Sequence, residues 1–236
     1  MKIGAILPSI ALIPSDMSLL LPKGVQVLGA TLNGRNGLPG EAQRNLDAMQ
    51  RATDVLVDEG ADAIVVMGIP VAARRGLAED RSALAGLTAA RGAVPIASSL
   101  DTVAAALRYL DAERPLFVTQ YNPPLNEAII AYCRDAGVDV LAARGLGAGN
   151  AAEVNALTEA DFEELAMRLV AEYPQADAIV LSARASMLSL SRRLEARFGF
   201  PVLEQNQTSL WWAMERLGIA LPKTGDRLFE AAGERA

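Results

Sequence analysis

The sequence predicts an α/β protein of two similar Rossmann-like (flavodoxin-like) lobes, each on a parallel sheet, related by pseudo-twofold symmetry with a cleft between them. Three observations carry that prediction. Short apolar runs alternate with longer amphipathic ones, the βαβ rhythm of a parallel sheet covered on both faces. AIVVMGIP at 63–70 is echoed by AIVLSARA at 178–185, and each is followed, after a helix, by a proline-led strand, VPIAS (94–98) or FPVLE (200–204), and a further helix. The 236 residues, 51% hydrophobic and 21% charged, suffice for one large core or two small ones. The expected division is residues 1–110 plus 215–236 for the first lobe and 111–214 for the second.

Strands are expected at KIGAILP (2–8), DAIVVMG (62–68), PLFVTQ (115–120), VDVLAA (138–143), DAIVLSA (177–183) and PVLEQ (201–205). Between them the helices have readable ends. In 41–59 the side chains of Ala42, Leu46, Met49, Val55 and Leu56 fall near one face, and Gly60 supplies the left-handed position past the end. Pro124 suits the first turn of a helix over 124–136, ended by Gly137. Thr158 and Asp161 have capping-box spacing at the start of a helix over 159–172. Further helices are expected at about 100–110, 186–198 and 207–217.

The net charge of −6, without a Lys/Arg run, argues against a nucleic-acid surface or an anionic membrane as partner and leaves a small molecule or another protein. Lys2 precedes an apolar run, but Pro8 interrupts it and Asp16 follows, so a secretory leader is not expected; no apolar run reaches membrane-spanning length. The single cysteine excludes an internal disulfide framework and points to the cytoplasm. Histidine is absent, which removes Ser-His and Cys-His pairs and histidine metal ligands. Proton transfer is left to Asp, Glu, Lys, Tyr, the one Cys or water. The glycines of GLGAGN (145–150) miss the dinucleotide-binding spacing, and no nucleotide is expected.

Several stretches resemble, in order and spacing, the aspartate/glutamate racemase superfamily and within it the arylmalonate decarboxylase and maleate isomerase branch. IGAILPS resembles that branch's first strand and VMGIP its first catalytic turn. VTQYNPPLNE resembles the branch's strand-turn with a tyrosine and then Asn-Glu, GLGAGNAAEV the loop after the next strand, IVLSARA the second catalytic turn, PVLEQNQTSLWWAMERLGI a proline-led strand and Asn-Gln…Trp helix, and GDRLFE the short C-terminal motif. The resemblance implies a two-lobed enzyme acting without metal or organic cofactor, in which cysteines at one or both turns move a proton next to a carboxylate or attack a double bond. Here the first turn carries Gly68, then Ile69 and Pro70 where the decarboxylases have a hydroxyl pair; Pro70 has no N–H to donate. The second turn carries Ala183 where the branch has its most persistent cysteine. Cys133 falls on the apolar face of a helix with Leu125 and Ile129, the pattern of an inert core residue.

The candidate site is assembled from what remains. Tyr121 follows a strand end, and the resemblance places it on the substrate carboxylate; with its pKa lowered by Arg184 it would also transfer a proton. Arg184, at the mouth of the cleft, is a candidate bidentate carboxylate clamp, against the plainer reading of a surface arginine. Ser9, Asn150 and Ser182 are candidate carboxylate ligands or turn residues, Gly68, Ile69, Pro70 and Ala183 line the two turns, and Asn206 is read as both a ligand and a helix N-cap. Trp211 and Trp212 anchor the last helix in the core or form a contact between copies, so a homo-oligomer is among the expectations. Two functions follow. One is a cofactor-independent lyase or isomerase of a small carboxylate or dicarboxylate, working through an enediolate-like intermediate without a catalytic cysteine, with racemisation the least suited reaction. The other is a binding protein for a small anionic metabolite that performs no chemistry.

Overall fold

In the computed structural model, which describes residues 1–8, 15–32, 41–92 and 94–234, the chain runs twice through one topology. The first pass is β1 (Lys2–Leu7), a 3-10 turn (Ser15–Leu20), β2 (Gln26–Thr31), α1 (Glu41–Asp58), β3 (Ala63–Val66), α2 (Ile69–Arg75), α3 (Leu77–Ala90), β4 (Ile96–Ser98) and α4 (Ser99–Tyr109). The second is β5 (Pro115–Thr119), α5 (Pro123–Asp135), β6 (Ala142–Gly145), α6 (Ala151–Ala156), α7 (Glu159–Glu172), β7 (Ala178–Ser182), α8 (Leu188–Phe198), β8 (Val202–Glu204) and α9 (Gln205–Arg216), followed by α10 (Arg227–Glu234). The sheets are wholly parallel, in the orders β2-β1-β3-β4 and β6-β5-β7-β8. The sequence echo therefore superposes β3 on β7 and β4 on β8. In each sheet the strand order reverses between the two central strands, which puts a crevice at the carboxyl ends of β1 and β3 in one half and of β5 and β7 in the other.

Helices on both faces explain the composition of the strands. Every residue of β3, β5 and β7 is buried, so these strands read as continuous apolar runs. β2, at a sheet edge, keeps partial exposure along its length and has no such run, which is why its sequence did not announce it. Ile6, Leu56, Ile64 and Leu84 fill the outer face of the first sheet, and Leu116, Phe162, Ile179 and Leu190 that of the second. The largest apolar cluster lies between the sheets and draws on both halves: Leu100, Val103 and Leu107 of α4, Ile129 and Cys133 of α5, and Leu210, Trp211 and Met214 of α9.

Two polar contacts tie the halves through this shared core. Thr102 and Thr208 are the fourth residues of the equivalent helices α4 and α9, and their hydroxyls lie 3.4 Å apart, with Ser99 and Ser209 also 3.4 Å apart beside them. Small hydroxyl side chains let the two helices approach, and three of the four also bond a carbonyl of their own helix: Thr102 to Ser99 at 2.8 Å, Thr208 to Gln205 at 3.0 Å and Ser209 to Gln205 at 2.9 Å. The second tie is a buried network: the Tyr132 phenol of α5 donates to Asp80 of α3 at 3.0 Å and lies 3.3 Å from the Ser98 hydroxyl, while Arg75 of α2 pairs with the other Asp80 oxygen at 2.9 Å. Desolvation, reinforced by the negative charge of Asp80, raises the Tyr132 phenol and keeps it a neutral donor.

Local expectations hold where capping chemistry is explicit. The Thr158–Asp161 capping box is present, and Gly60 and Gly137 take positive φ just past α1 and α5. Three boundaries shift. The strand expected at 138–143 begins only at Ala142, because the Val138 N–H closes α5 on the Cys133 carbonyl at 2.9 Å. Gln205 belongs to α9 and not to the preceding strand, and the cap of α9 is Glu204 and not Asn206: the Glu204 carboxylate accepts from the N–H groups of Asn206 at 2.8 Å and Gln207 at 3.0 Å. The helix expected from 186 starts at Leu188. Where one helix is expected between the 63–70 and 94–98 segments the chain forms two, α2 and α3; α6 and α10 were not anticipated.

Tyr132→Phe removes a donor and leaves one Asp80 oxygen in the core without its partner. It should cost about 1–3 kcal/mol, seen as a lower urea midpoint with an unchanged denaturant slope.

Candidate functional site

The β5–β7 crevice is bounded by two turns that other side chains hold in place. After β5, the buried Thr119 hydroxyl donates to Asn126 Oδ1 at 2.8 Å and accepts from the Tyr121 N–H at 3.1 Å, while Asn126 Nδ2 donates to the Tyr121 carbonyl at 3.4 Å. Asn122 then caps α5 by accepting from the Leu125 N–H at 3.2 Å, and Pro123 and Pro124 occupy the first turn, where no N–H is needed. Gly145 completes the clasp, since a Cβ there would stand 1.8 Å from the Tyr121 carbonyl oxygen. The backbone of Tyr121 therefore has little freedom.

After β7, the chain passes through Ser182, Ala183 and Arg184. Ser182 and Ala183 are buried and Arg184 is exposed. Two glutamines grip this turn: Gln120 accepts from the Arg184 N–H at 2.9 Å, and Gln205, 8% exposed, donates through Nε2 to the Ala183 carbonyl at 2.7 Å. The Ser182 hydroxyl lies 2.9 Å from Gln205 Oε1 and 3.1 Å from the Tyr121 hydroxyl. Tyr121, Ser182 and Gln205 thus form one hydrogen-bonded line from the crevice into the start of α9.

In the first half the equivalent turn is Gly68, at φ 93° and ψ 98°, a conformation that excludes other residues; a Cβ would also press on the Pro8 ring at 3.1 Å. Ile69 and Pro70 begin α2, Ile69 fully buried, and the Val71 N–H is returned to the Gly68 carbonyl at 3.1 Å. This turn offers a shaped wall and no side-chain donor.

The model of the arylmalonate decarboxylase family matches residues 3–229 of the chain. The chain belongs to that family. A crystal structure of arylmalonate decarboxylase superposes with a TM-score of 0.86 at 23% identity, covering 98% of this chain and 99% of that one. The Nocardia farcinica maleate cis–trans isomerase carrying a covalently bound succinylcysteine intermediate gives 0.81 at 24% identity over 97% of each chain. Maleate isomerase Iso from Pseudomonas putida S16, in a structure with maleate, gives 0.86 at 22% identity over 98% of each. In sequence, the maleate isomerase of Nocardia farcinica is 30% identical over 134 residues, 55% of this chain and 53% of that protein, so the match spans about half the length of this curated relative.

Within this family member, the expected site residues divide. Tyr121, Ser182 and Ala183 are brought together, with Gln205, which the sequence reading passed over in favour of its neighbour. Asn206 is buried and spends its Nδ2 on the Glu204 carboxylate at 2.8 Å. Asn150 caps α6, its Oδ1 accepting from Ala152 at 3.0 Å and Glu153 at 3.1 Å, and its Nδ2 donating to Glu153 at 2.6 Å. Ser9 lies outside the described residues. Cys133 is buried in α5, and desolvation pushes its thiol up to about 12. Among the described residues, no three Cys, Asp or Glu side chains are grouped to hold a metal ion. No described helix is long and apolar enough to cross a membrane.

The electrostatics of Tyr121 differ from expectation in sign and in source. Burial raises its pKa to about 12, and the nearby cation is Arg74 of α2, not Arg184. The phenol is a neutral donor at physiological pH and not a base.

Tyr121 and Cys133 keep their protons to about pH 12 when folded, against 10.0 and 9.0 for the exposed groups. Above pH 9 the unfolded chain binds fewer protons than the folded one, so their contribution is intact below that pH and stability falls as pH rises towards 12. Urea titrations at stepped alkaline pH should show this decline, and Tyr121→Phe should make it shallower.

Proposed function

We propose that this member of the arylmalonate decarboxylase family is a cofactor-independent lyase or isomerase of a small carboxylate or dicarboxylate, working through an enediolate-like intermediate without a catalytic cysteine, and that decarboxylation suits its residues best. The observation that carries this reading is a neutral, geometrically restrained phenol at the strand-order reversal of the second sheet, beside a turn whose side chain is the methyl of Ala183. A succinylcysteine adduct, such as the Nocardia farcinica isomerase carries, requires a reachable thiol, and Cys133 is enclosed in the core.

Decarboxylation asks less of the protein. When the bond from carbon to a leaving carboxylate breaks, its electron pair stays on carbon and delocalises into the remaining carboxylate as carbon dioxide departs; no base is needed. The protein must hold the growing charge on the remaining carboxylate oxygens, which a desolvated phenol donor does well. Tyr121 supplies that donor, and Arg184, exposed at the adjacent turn, supplies a guanidinium for the second carboxylate. A proton taken up from solvent water at that carbon completes the reaction, leaving hydroxide to be neutralised by the medium. The alternative is a non-catalytic binding protein for a small anionic metabolite, favoured by the same lack of a reachable thiol.

The protein should be incubated with a panel of malonates, maleate and amino-acid-derived acids while product is followed by NMR and binding by thermal shift. Turnover should survive Cys133→Ala and fall about 10²–10³-fold in kcat in Tyr121→Phe, the usual loss for one oxyanion donor. Arg184→Ala should weaken substrate binding about tenfold; if it changes neither binding nor turnover, the clamp is wrong. Stabilisation by tightly bound acids with no product would replace the enzyme by the binding protein.

A further inference from the structure

Gln205 sits at the buried end of the line from Tyr121 through Ser182, and its amide has only one workable orientation. The Ala183 carbonyl, 2.7 Å away, can only accept, so the group facing it is Nε2 and the group facing Ser182 is the carbonyl Oε1. Oε1 also can only accept, and Ser182 has a single hydroxyl proton to share between Oε1 at 2.9 Å and the Tyr121 oxygen at 3.1 Å. Satisfying both contacts at once requires Ser182 to donate to Gln205 and to accept from Tyr121. The direction of every proton along the line then follows from one backbone carbonyl.

We propose that Gln205 is a positioning residue that sets the direction of the Tyr121 hydroxyl: by claiming the Ser182 proton, it turns the phenol proton inward onto Ser182 and leaves the phenol's lone pairs facing the crevice. A carboxylate ligand must therefore draw the Tyr121 proton away from Ser182, whereas a ligand hydroxyl or amide N–H meets a ready acceptor. This deepens the reading of Tyr121 as the carboxylate donor and rests on it only for that consequence; the proton direction itself is a property of the unliganded protein.

The test is an ultraviolet tyrosinate titration of the ligand-free protein, with Tyr121→Phe in each background subtracted to isolate Tyr121. The charged group acting on this phenol is Arg74 of α2, which every variant retains. In Gln205→Met the Ser182 proton is released to the Tyr121 oxygen, where it stabilises the phenolate, and the midpoint should fall by about one pH unit. In Gln205→Glu the carboxylate still claims the Ser182 proton and adds a nearby negative charge, so the midpoint should rise. A purely structural role would leave the Gln205→Met midpoint unchanged or raised, whatever the added charge does in Gln205→Glu, and that result overturns the proposal. Circular dichroism of each variant confirms that the fold being titrated is intact. Because no substrate is present, absence of turnover in the panel above would leave this outcome unaffected.

Discussion

The packing of α4 on α9 is the constraint from which the rest of the molecule follows. These are the equivalent helices of the two halves, and they meet at Thr102 and Thr208, which occupy the same position in each. Larger side chains at that crossing would push the halves apart, whereas hydroxyls bonded to their own helix carbonyls add no unsatisfied group. Each helix also starts directly at the carboxyl end of a strand, β4 or β8, so their contact fixes how the two sheets face one another. The Asp80–Tyr132–Ser98 network adds a second, directional tie, joining α3 and the end of β4 to the last turn of α5.

That arrangement explains how the candidate site is ordered with so few reactive groups. α9 is both half of the central contact and the source of Gln205, so the element that joins the halves also orders the β7 turn. The β5 turn is ordered separately by Thr119, Asn126 and the missing side chain of Gly145. Tyr121 is held at its backbone by these contacts and at its hydroxyl by Ser182.

The periodic parts of the fold were legible because burial on both faces leaves a plain signature: the β3 and β7 runs, and the echo between them, located the equivalent halves. Capping residues marked helix ends wherever the side chain itself makes the bond, as at Thr158 and Gly60. β2 was not legible because an edge strand needs no continuous apolar run. The cap of α9 was misassigned because asparagine is the commoner cap, and nothing in the order Glu204-Gln205-Asn206 says which residue's oxygen turns back onto the helix. Arg184 was read as the cation acting on Tyr121 because it follows the turn directly, yet Arg74, far away in sequence, exerts that effect.

The order of amino acids alone specified the repeated α/β class and the absence of histidine, since each depends on residue type or local period; the candidacy of Tyr121 and the interest of Ala183 came from the resemblance to the family. Only the tertiary structure decided what those residues can do. It buried Cys133 away from the crevice, raised the Tyr121 phenol in place of lowering it, and brought Gln205 to Ser182 across 23 residues of chain. Proton affinity and hydrogen-bond direction belong to the surroundings of a group, and those surroundings exist only once distant segments are packed together.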